Sequence, residues 1–206
     1  MAKLWKNGVA QNLTNGTSDA IAKEVFVAGT DVYVAGFELV NFIHVAKIWK
    51  NGVAQNLSDG TLNEYANSVY VSKGDVYAAG YTYNGNKFVA RSWKNGVAQN
   101  LGNGANNGFA NKIVVSAGDV YVAGSEYNGT VYVAKLWKNG VAQHLSSGTV
   151  DGYGNSVYVS GGDVYVAGME RIGTGYKAVA RLWKNGVVQS LTDGNNGAEA
   201  FSVFVQ

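Results

Sequence analysis

A short segment recurs five times along this chain, and its spacing constrains the fold more than any other feature. Each copy reads Leu, Ile or Ser followed by Trp-Lys-Asn-Gly, with the indoles at Trp5, Trp49, Trp93, Trp137 and Trp183. The intervals are therefore 44, 44, 44 and 46 residues. A unit of that length is one supersecondary element that cannot bury its own apolar face, so successive units must stack.

The residues between the tryptophans name the element. Ala66–Ser72 alternates apolar and small polar residues, and Lys73-Gly74 then turns the chain into Asp75–Tyr83. Asn84-Gly85 leads to Lys87–Lys94, and Asn95-Gly96 leads to Val97–Leu101. Period-two runs rich in Val, Tyr and Phe, joined by X-Gly links, predict antiparallel hairpins. Asn and Gly tolerate the positive φ of type I′ turns, whose twist matches that of the strands. Each unit thus carries four strands, A to D. The D-to-A link, as in Gly60–Ala66, is longer and polar, which makes A innermost and D outermost. The chain has 28 glycines and no proline, as suits a chain of ladders in which every strand must donate.

Four-stranded units repeating about every 40–45 residues are the pattern of a β-propeller. The expected fold is all-β and five-bladed, a single domain over residues 1–206. Its units are approximately 1–19 (partial), 20–63, 64–107, 108–151, 152–197 and 198–206 (partial). The count is 19 strands, one short of five complete units. The last blade is expected to combine a C-terminal strand A, Ala200–Val205, with N-terminal strands C and D. Its strand B is absent, which predicts a weak seam or a strand exchanged between chains. Monomer and strand-exchanged homo-oligomer both remain open.

The Trp in strand C followed by a hairpin resembles the blade phase of WD40 repeats. The glycine-rich, near-identical blades are similar to lectin propellers of the tachylectin type, and more loosely to kelch blades. Lys follows each Trp where WD40 repeats carry Asp, and the Gly-His pair is missing, so no family site is transferred. What the resemblance implies is a propeller with a lectin-like binding role.

Several repeated residues are candidates for structure or for binding. The five tryptophans are expected in the core, each removing about 150–250 Å² from water; the alternative is a set of exposed sugar-stacking platforms. Lys3, Lys47, Arg91, Lys135 and Arg181 precede them by two places and either lie over a ring or meet an acid. Asp31, Asp75, Asp119 and Asp163 open strand B and are expected to shape the A–B turn rather than hold a metal. Gln11, Gln55, Gln99, Gln143 and Gln189 on strand D are expected to tie the outer strand to a neighbour. Variation concentrates in the D–A links and the B–C turns, including the longer Arg171–Gly175, which share one rim. There Tyr65, Phe109 and Tyr153, with Asn67, Asn111 and Asn155 two places on, form the candidate ligand-binding set. A ring can take the apolar face of a sugar while an amide bonds its hydroxyls; equally, the ring can plug the seam between blades.

Other chemistry has little support. A net charge of +2 without basic runs gives no case for nucleic acid or an anionic membrane. There is no cysteine, and no phosphate loop, metal cluster or nucleophile–base grouping. His44 and His144 do not repeat, and Glu24, Glu64 and Glu199 form no equivalent set around the axis. No catalysis, cofactor or metal is expected. Lacking an apolar leader or spanning segment, the chain as written is expected in the cytoplasm. The expected function is a non-enzymatic, multivalent carbohydrate-binding module. The alternative is a structural or protein-interaction scaffold, including a recently amplified or engineered propeller without a ligand.

Overall fold

The computed structural model describes residues 1–173 and 177–206. Among these there are 18 strands and no helix. Sixteen strands form four antiparallel sheets, each in sequence order. Sheet 1 contains β3 (Ala20–Ala28), β4 (Asp31–Val40), β5 (Ile43–Lys50) and β6 (Val53–Asn56). Sheet 2 contains β7 (Asn63–Ser72), β8 (Asp75–Tyr83), β9 (Phe88–Lys94) and β10 (Val97–Asn100). Sheet 3 contains β11 (Gly108–Ser116), β12 (Asp119–Tyr127), β13 (Tyr132–Lys138) and β14 (Val141–His144). Sheet 4 contains β15 (Gly152–Ser160), β16 (Asp163–Ile172), β17 (Lys177–Lys184) and β18 (Val187–Ser190). The remaining pair, β1 (Lys3–Lys6) and β2 (Val9–Asn12), forms a separate hairpin.

The Asn-Gly links are type I′ turns, as at Asn51 (φ 50°) and Gly52 (φ 85°). The tight turns that open the second strands and those that precede the fourth lie at the same end of each sheet, and side chains bolt them together. Asp119 Oδ1 accepts from Asn139 Nδ2 at 2.8 Å, and Asn139 Oδ1 accepts from the Val120 amide at 2.8 Å. Lys138 reaches Asp119 Oδ2 at 2.7 Å and lies 5.4 Å from the Tyr121 ring centroid. The same arrangement recurs at Asp31, Asp75 and Asp163. The recurring Lys-Asn-Gly is therefore the half of a turn-to-turn brace whose other half is Asp-Val-Tyr.

The first strands β7, β11 and β15 each pack on the first three strands of the preceding sheet. Trp93 sits against Tyr33, Ala35, Ala46, Ile48 and Leu57 of sheet 1. Trp137 and Trp183 repeat that contact one sheet on, and Trp49 packs on Leu13 and Ala2 around the hairpin. These four indoles are 0–1% exposed. Trp5 is 63% exposed, so the core role expected of all five tryptophans does not hold for the first.

The expected nineteenth strand is not formed. Residues 200–205 carry no ladder, because no second strand lies beside them to supply one. They nonetheless follow β15: Asn155 Nδ2 donates to Ala200 O at 3.0 Å, and the Val203 amide donates to Ser156 Oγ at 3.4 Å. The cation two places before each buried Trp pairs with an acid rather than covering a ring, as in Lys47–Glu38 (2.7 Å) and Arg181–Glu170 (2.8 Å). The outer strands are exposed throughout, so the repeated Gln side chains are not buried amides.

Candidate functional site

The candidate rings lie within strands, not in the links where the sequence places them. Tyr65, Phe109 and Tyr153 belong to β7, β11 and β15, which begin before the expected starts. Each ring leans from its own sheet onto the third strand of the preceding one. Tyr65 meets His44 at 5.1 Å between centroids, Phe109 meets Phe88 at 5.5 Å, and Tyr153 meets Tyr132 at 5.3 Å.

Further rings join these pairs into one belt. Phe37 contacts Tyr65 edge-on at 4.8 Å, Tyr65 stacks on Tyr81 at 4.7 Å, and Tyr81 meets Phe109 at 5.0 Å. Phe109 reaches Tyr132 at 6.1 Å, which carries the belt to Tyr153. Apart from buried Phe37, these rings are half-buried. Offset and edge contacts of this kind add to area burial while leaving part of each ring open to solvent. Burial pushes the phenols of Tyr65, Tyr81 and Tyr153 above their ordinary range, so they stay neutral hydrogen-bonding groups. The Tyr65 hydroxyl lies 3.1 Å from His44 Nδ1.

Asn67, Asn111 and Asn155 occupy an unexpected place. The ladder between the first and second strands slips by one residue at each of them, a β-bulge that leaves the Asn unpaired in the sheet. The bulge aims the side chain at the next first strand. Asn67 Nδ2 donates to Ala110 O at 3.0 Å, and Asn111 Nδ2 donates to Gly154 O at 2.9 Å. Asn155 donates to Ala200 O and also to Glu199 Oε1 at 2.8 Å. The amide nitrogens therefore brace neighbouring sheets. The same bulge explains the glycine of the second strand: a Cβ at Gly124 would lie 2.0 Å from Phe109 O.

A second repeated polar set escapes the sequence reading. Asn63 Oδ1 accepts from the His44 amide at 2.8 Å, Asn107 Oδ1 from Phe88 at 3.0 Å, and Asp151 Oδ1 from Tyr132 at 2.9 Å. Each stands two places before a candidate ring and pins the partner ring's strand. The recurrence of Asn or Asp at that place was its only sequence signal.

The three acids considered for chemistry are all engaged. Glu24 pairs with Lys112 across two sheets and accepts from the Val69 amide at 3.1 Å. Burial pushes the Lys112 ammonium down. Glu64 pairs with Arg91, replacing the acid that Thr82 lacks, and burial pushes its carboxyl up. Glu199 accepts from Asn155. Among the described residues no cluster of His, Cys, Asp and Glu could hold a metal. The longer turn from Arg171 to Gly175 lies partly outside the described residues, which omit 174–176.

One seam differs from the others. A cavity of about 520 Å³ opens between sheets 2 and 3, lined by Tyr77, Ser92, Leu101, Ile113 and Val122. Ser92 stands where Ile48, Leu136 and Leu182 fill the equivalent place.

Comparison with known protein families gives no match, and comparison with curated protein sequences gives none. Solved structures do match. A putative TolB from Agrobacterium tumefaciens superposes with a TM-score of 0.54 at 10% identity, over 80% of this chain and 61% of that one. Pyrococcus horikoshii acylaminoacyl peptidase superposes with a TM-score of 0.52 at 16% identity, over 87% of this chain and 27% of that one. The chain thus spans less than two thirds of either protein. The likeness is one of fold: an all-β repeat of propeller type.

Proposed function

We propose that this chain is a five-bladed β-propeller acting as a non-enzymatic, multivalent carbohydrate-binding module, with the aromatic belt as its binding face. In this reading the hairpin β1–β2 and residues 198–206 are the outer and inner parts of the fifth blade. The observation that carries the binding role is recurrence: His44/Tyr65, Phe88/Phe109 and Tyr132/Tyr153 repeat one half-buried ring pair at three successive seams. An open ring face stacks on the apolar face of a pyranose, and neighbouring hydroxyls and amide oxygens bond its edge. Asn67, Asn111 and Asn155 supply Oδ1 atoms that have no intramolecular partner among the described residues. Weak equal sites gain avidity when the ligand is itself repetitive. The engagement of Glu24, Glu64 and Glu199 within the fold supports a role without catalysis.

The rival reading, a protein-interaction scaffold, is favoured by one observation: in each four-stranded sheet the repeated Trp, Lys, Asn, Gly and Asp serve packing or turn braces. A glycan array followed by calorimetry separates the two. Binding with several equivalent sites per chain, weakened by Tyr65→Ala, Phe109→Ala and Tyr153→Ala in proportion to the number changed, supports the lectin reading. A blank array with the folded protein overturns it in favour of the scaffold.

A further inference from the structure

In sheets 1, 3 and 4 the third strand meets a second strand that carries two acids; in sheet 2 the second strand supplies Asp75 alone, and Glu64 of the first strand meets Arg91. Lys50 and Lys47 pair with Asp31 and Glu38 of β4, and Lys138 and Lys135 pair with Asp119 and Glu126 of β12. Sheet 4 repeats this with Asp163 and Glu170. In these three sheets the second strand reads Asp, then Gly five places on, then Glu seven places on, and sheet 2 keeps the Asp and the Gly with Thr82 in the last place. The hairpin has the matching third strand, with Lys3, Trp5, Lys6 and Asn7, yet β1 is laddered only to β2. Among the described residues neither Lys3 nor Lys6 meets an acid.

The opposite bank is equally unfinished. Leu191 is 49% exposed, whereas Leu13, Leu57, Leu101 and Leu145 are 6–9% exposed. Val25, Val27 and Phe204 are exposed, and a groove of about 160 Å³ runs past Lys3, Trp5, Ala22, Val25 and Val34. The charges facing it are Lys3, Lys6, Lys23, Glu24 (held by Lys112) and Glu199 (held to Asn155).

We propose that this seam is a strand-acceptor site, and that its occupant is an extended segment from outside residues 1–206 with the pattern Asp-x-x-x-x-Gly-x-Glu and apolar residues between. The occupant ladders to the free edge of β1 on one side and to residues 200–205 on the other, a β-augmentation. By the register of the other sheets, its fourth residue faces Trp5 and its Gly faces Lys3 and Ala200. Its Asp meets Lys6 and Asn7, and its Glu meets Lys3. A second copy of this chain is a poor donor, because its three strands of this pattern, β4, β12 and β16, are already the interior strands of sheets.

The test adds a synthetic peptide with the sequence Asp119–Tyr127 to the 206-residue chain and follows fluorescence excited selectively at tryptophan. The peptide has no indole, and Trp5 is the one exposed indole of the five. The expected result is a saturable blue shift at one peptide per chain, with a higher melting temperature. Peptides carrying Asp119→Asn and Glu126→Gln bind about tenfold or more weakly, as does native peptide to Lys3→Gln protein, since hydrogen-bonded charge pairs are lost. The Lys3→Gln variant keeps its own melting temperature, which separates failed docking from failed folding. No saturable shift, or equal binding of neutral and acidic peptides, overturns the proposal. So does a concentration-dependent dimer that buries Trp5 without peptide, which assigns the seam to a second copy.

Discussion

Asn155 donates its amide to Ala200 O at 3.0 Å, the bond that Asn67 makes to Ala110 at 3.0 Å and Asn111 makes to Gly154 at 2.9 Å. Through it, the chain's last residues lie where a next first strand would lie, although they form no ladder of their own. The repeat is thus carried across sheets by a bulged side chain, not by the strands themselves.

That brace is testable at Asn111. Asn111→Ala leaves the Gly154 carbonyl without its donor and is expected to cost about 1 kcal/mol. Asn111→Asp sets a carboxylate against a carbonyl oxygen and costs more. Gly124→Ala strikes the same bulge from the other strand, where a Cβ would lie 2.0 Å from Phe109 O and 2.9 Å from Trp137 Cζ3. Its expected loss is larger still, about 3 kcal/mol or more. Urea unfolding of the three variants gives the order directly.

The tryptophans are chemically equal and energetically unequal. Trp137→Ala empties a fully buried site and is expected to cost about 3–5 kcal/mol. Trp5→Ala, at an exposed site, is expected within about 0.5 kcal/mol of the parent. Trp137→Phe costs much less than Trp137→Ala, because the buried Nε1 of Trp137 has no hydrogen-bond partner to lose. Denaturant midpoints at constant slope are the measurement.

Ser92 leaves a gap that the other seams fill. Ser92→Leu places an aliphatic side chain into the cavity beside Leu101 and Ile113 and is expected to stabilise by about 1 kcal/mol. The converse change, Leu136→Ser, is expected to destabilise by about 3 kcal/mol. A pair of thermal melts decides whether the cavity or the serine is what the fold needs.

Acid should loosen the turn braces. The carboxyls of Asp31, Asp75, Asp119 and Asp163 are held below the ordinary value of 3.8, first by the neighbouring Lys and then by the turn Asn. A carboxylate depressed in the folded state stabilises fully above its unfolded pKa, and that contribution fades as pH falls through the folded value. The matching lysines are raised, so their share persists at neutral pH and fades only in strong alkali. Stability measured from pH 7 downward is therefore expected to stay level until about pH 4 and then to drop. The Asp119→Asn variant loses part of that drop.

Much of the fold was legible because its signals are local. Asn51-Gly52 and its copies specify type I′ hairpins through φ alone, and period-two runs such as Asp75–Tyr83 specify strands through alternation. The candidate rings were found by the variation between units in the D–A links, but not their setting: nothing local to Tyr65 says that its strand begins at Asn63 or that its ring meets His44. The acid partner of each Lys or Arg was likewise one of two readings until Glu38 and Glu170 were seen beside Lys47 and Arg181.

By itself the sequence determined the repeating unit, its hairpins, their order and the apolar face of each strand, since these follow from periodicity and turn chemistry within a single unit. Only the tertiary structure decided that Asn67, Asn111 and Asn155 are bulged braces, that the half-buried rings form a belt across sheets, and that Trp5 stays exposed while its four counterparts are buried. The physical reason is that each depends on what the neighbouring unit presents. Five near-identical segments acquire different environments because four are third strands of four-stranded sheets and the one at Trp5 is laddered only to β2.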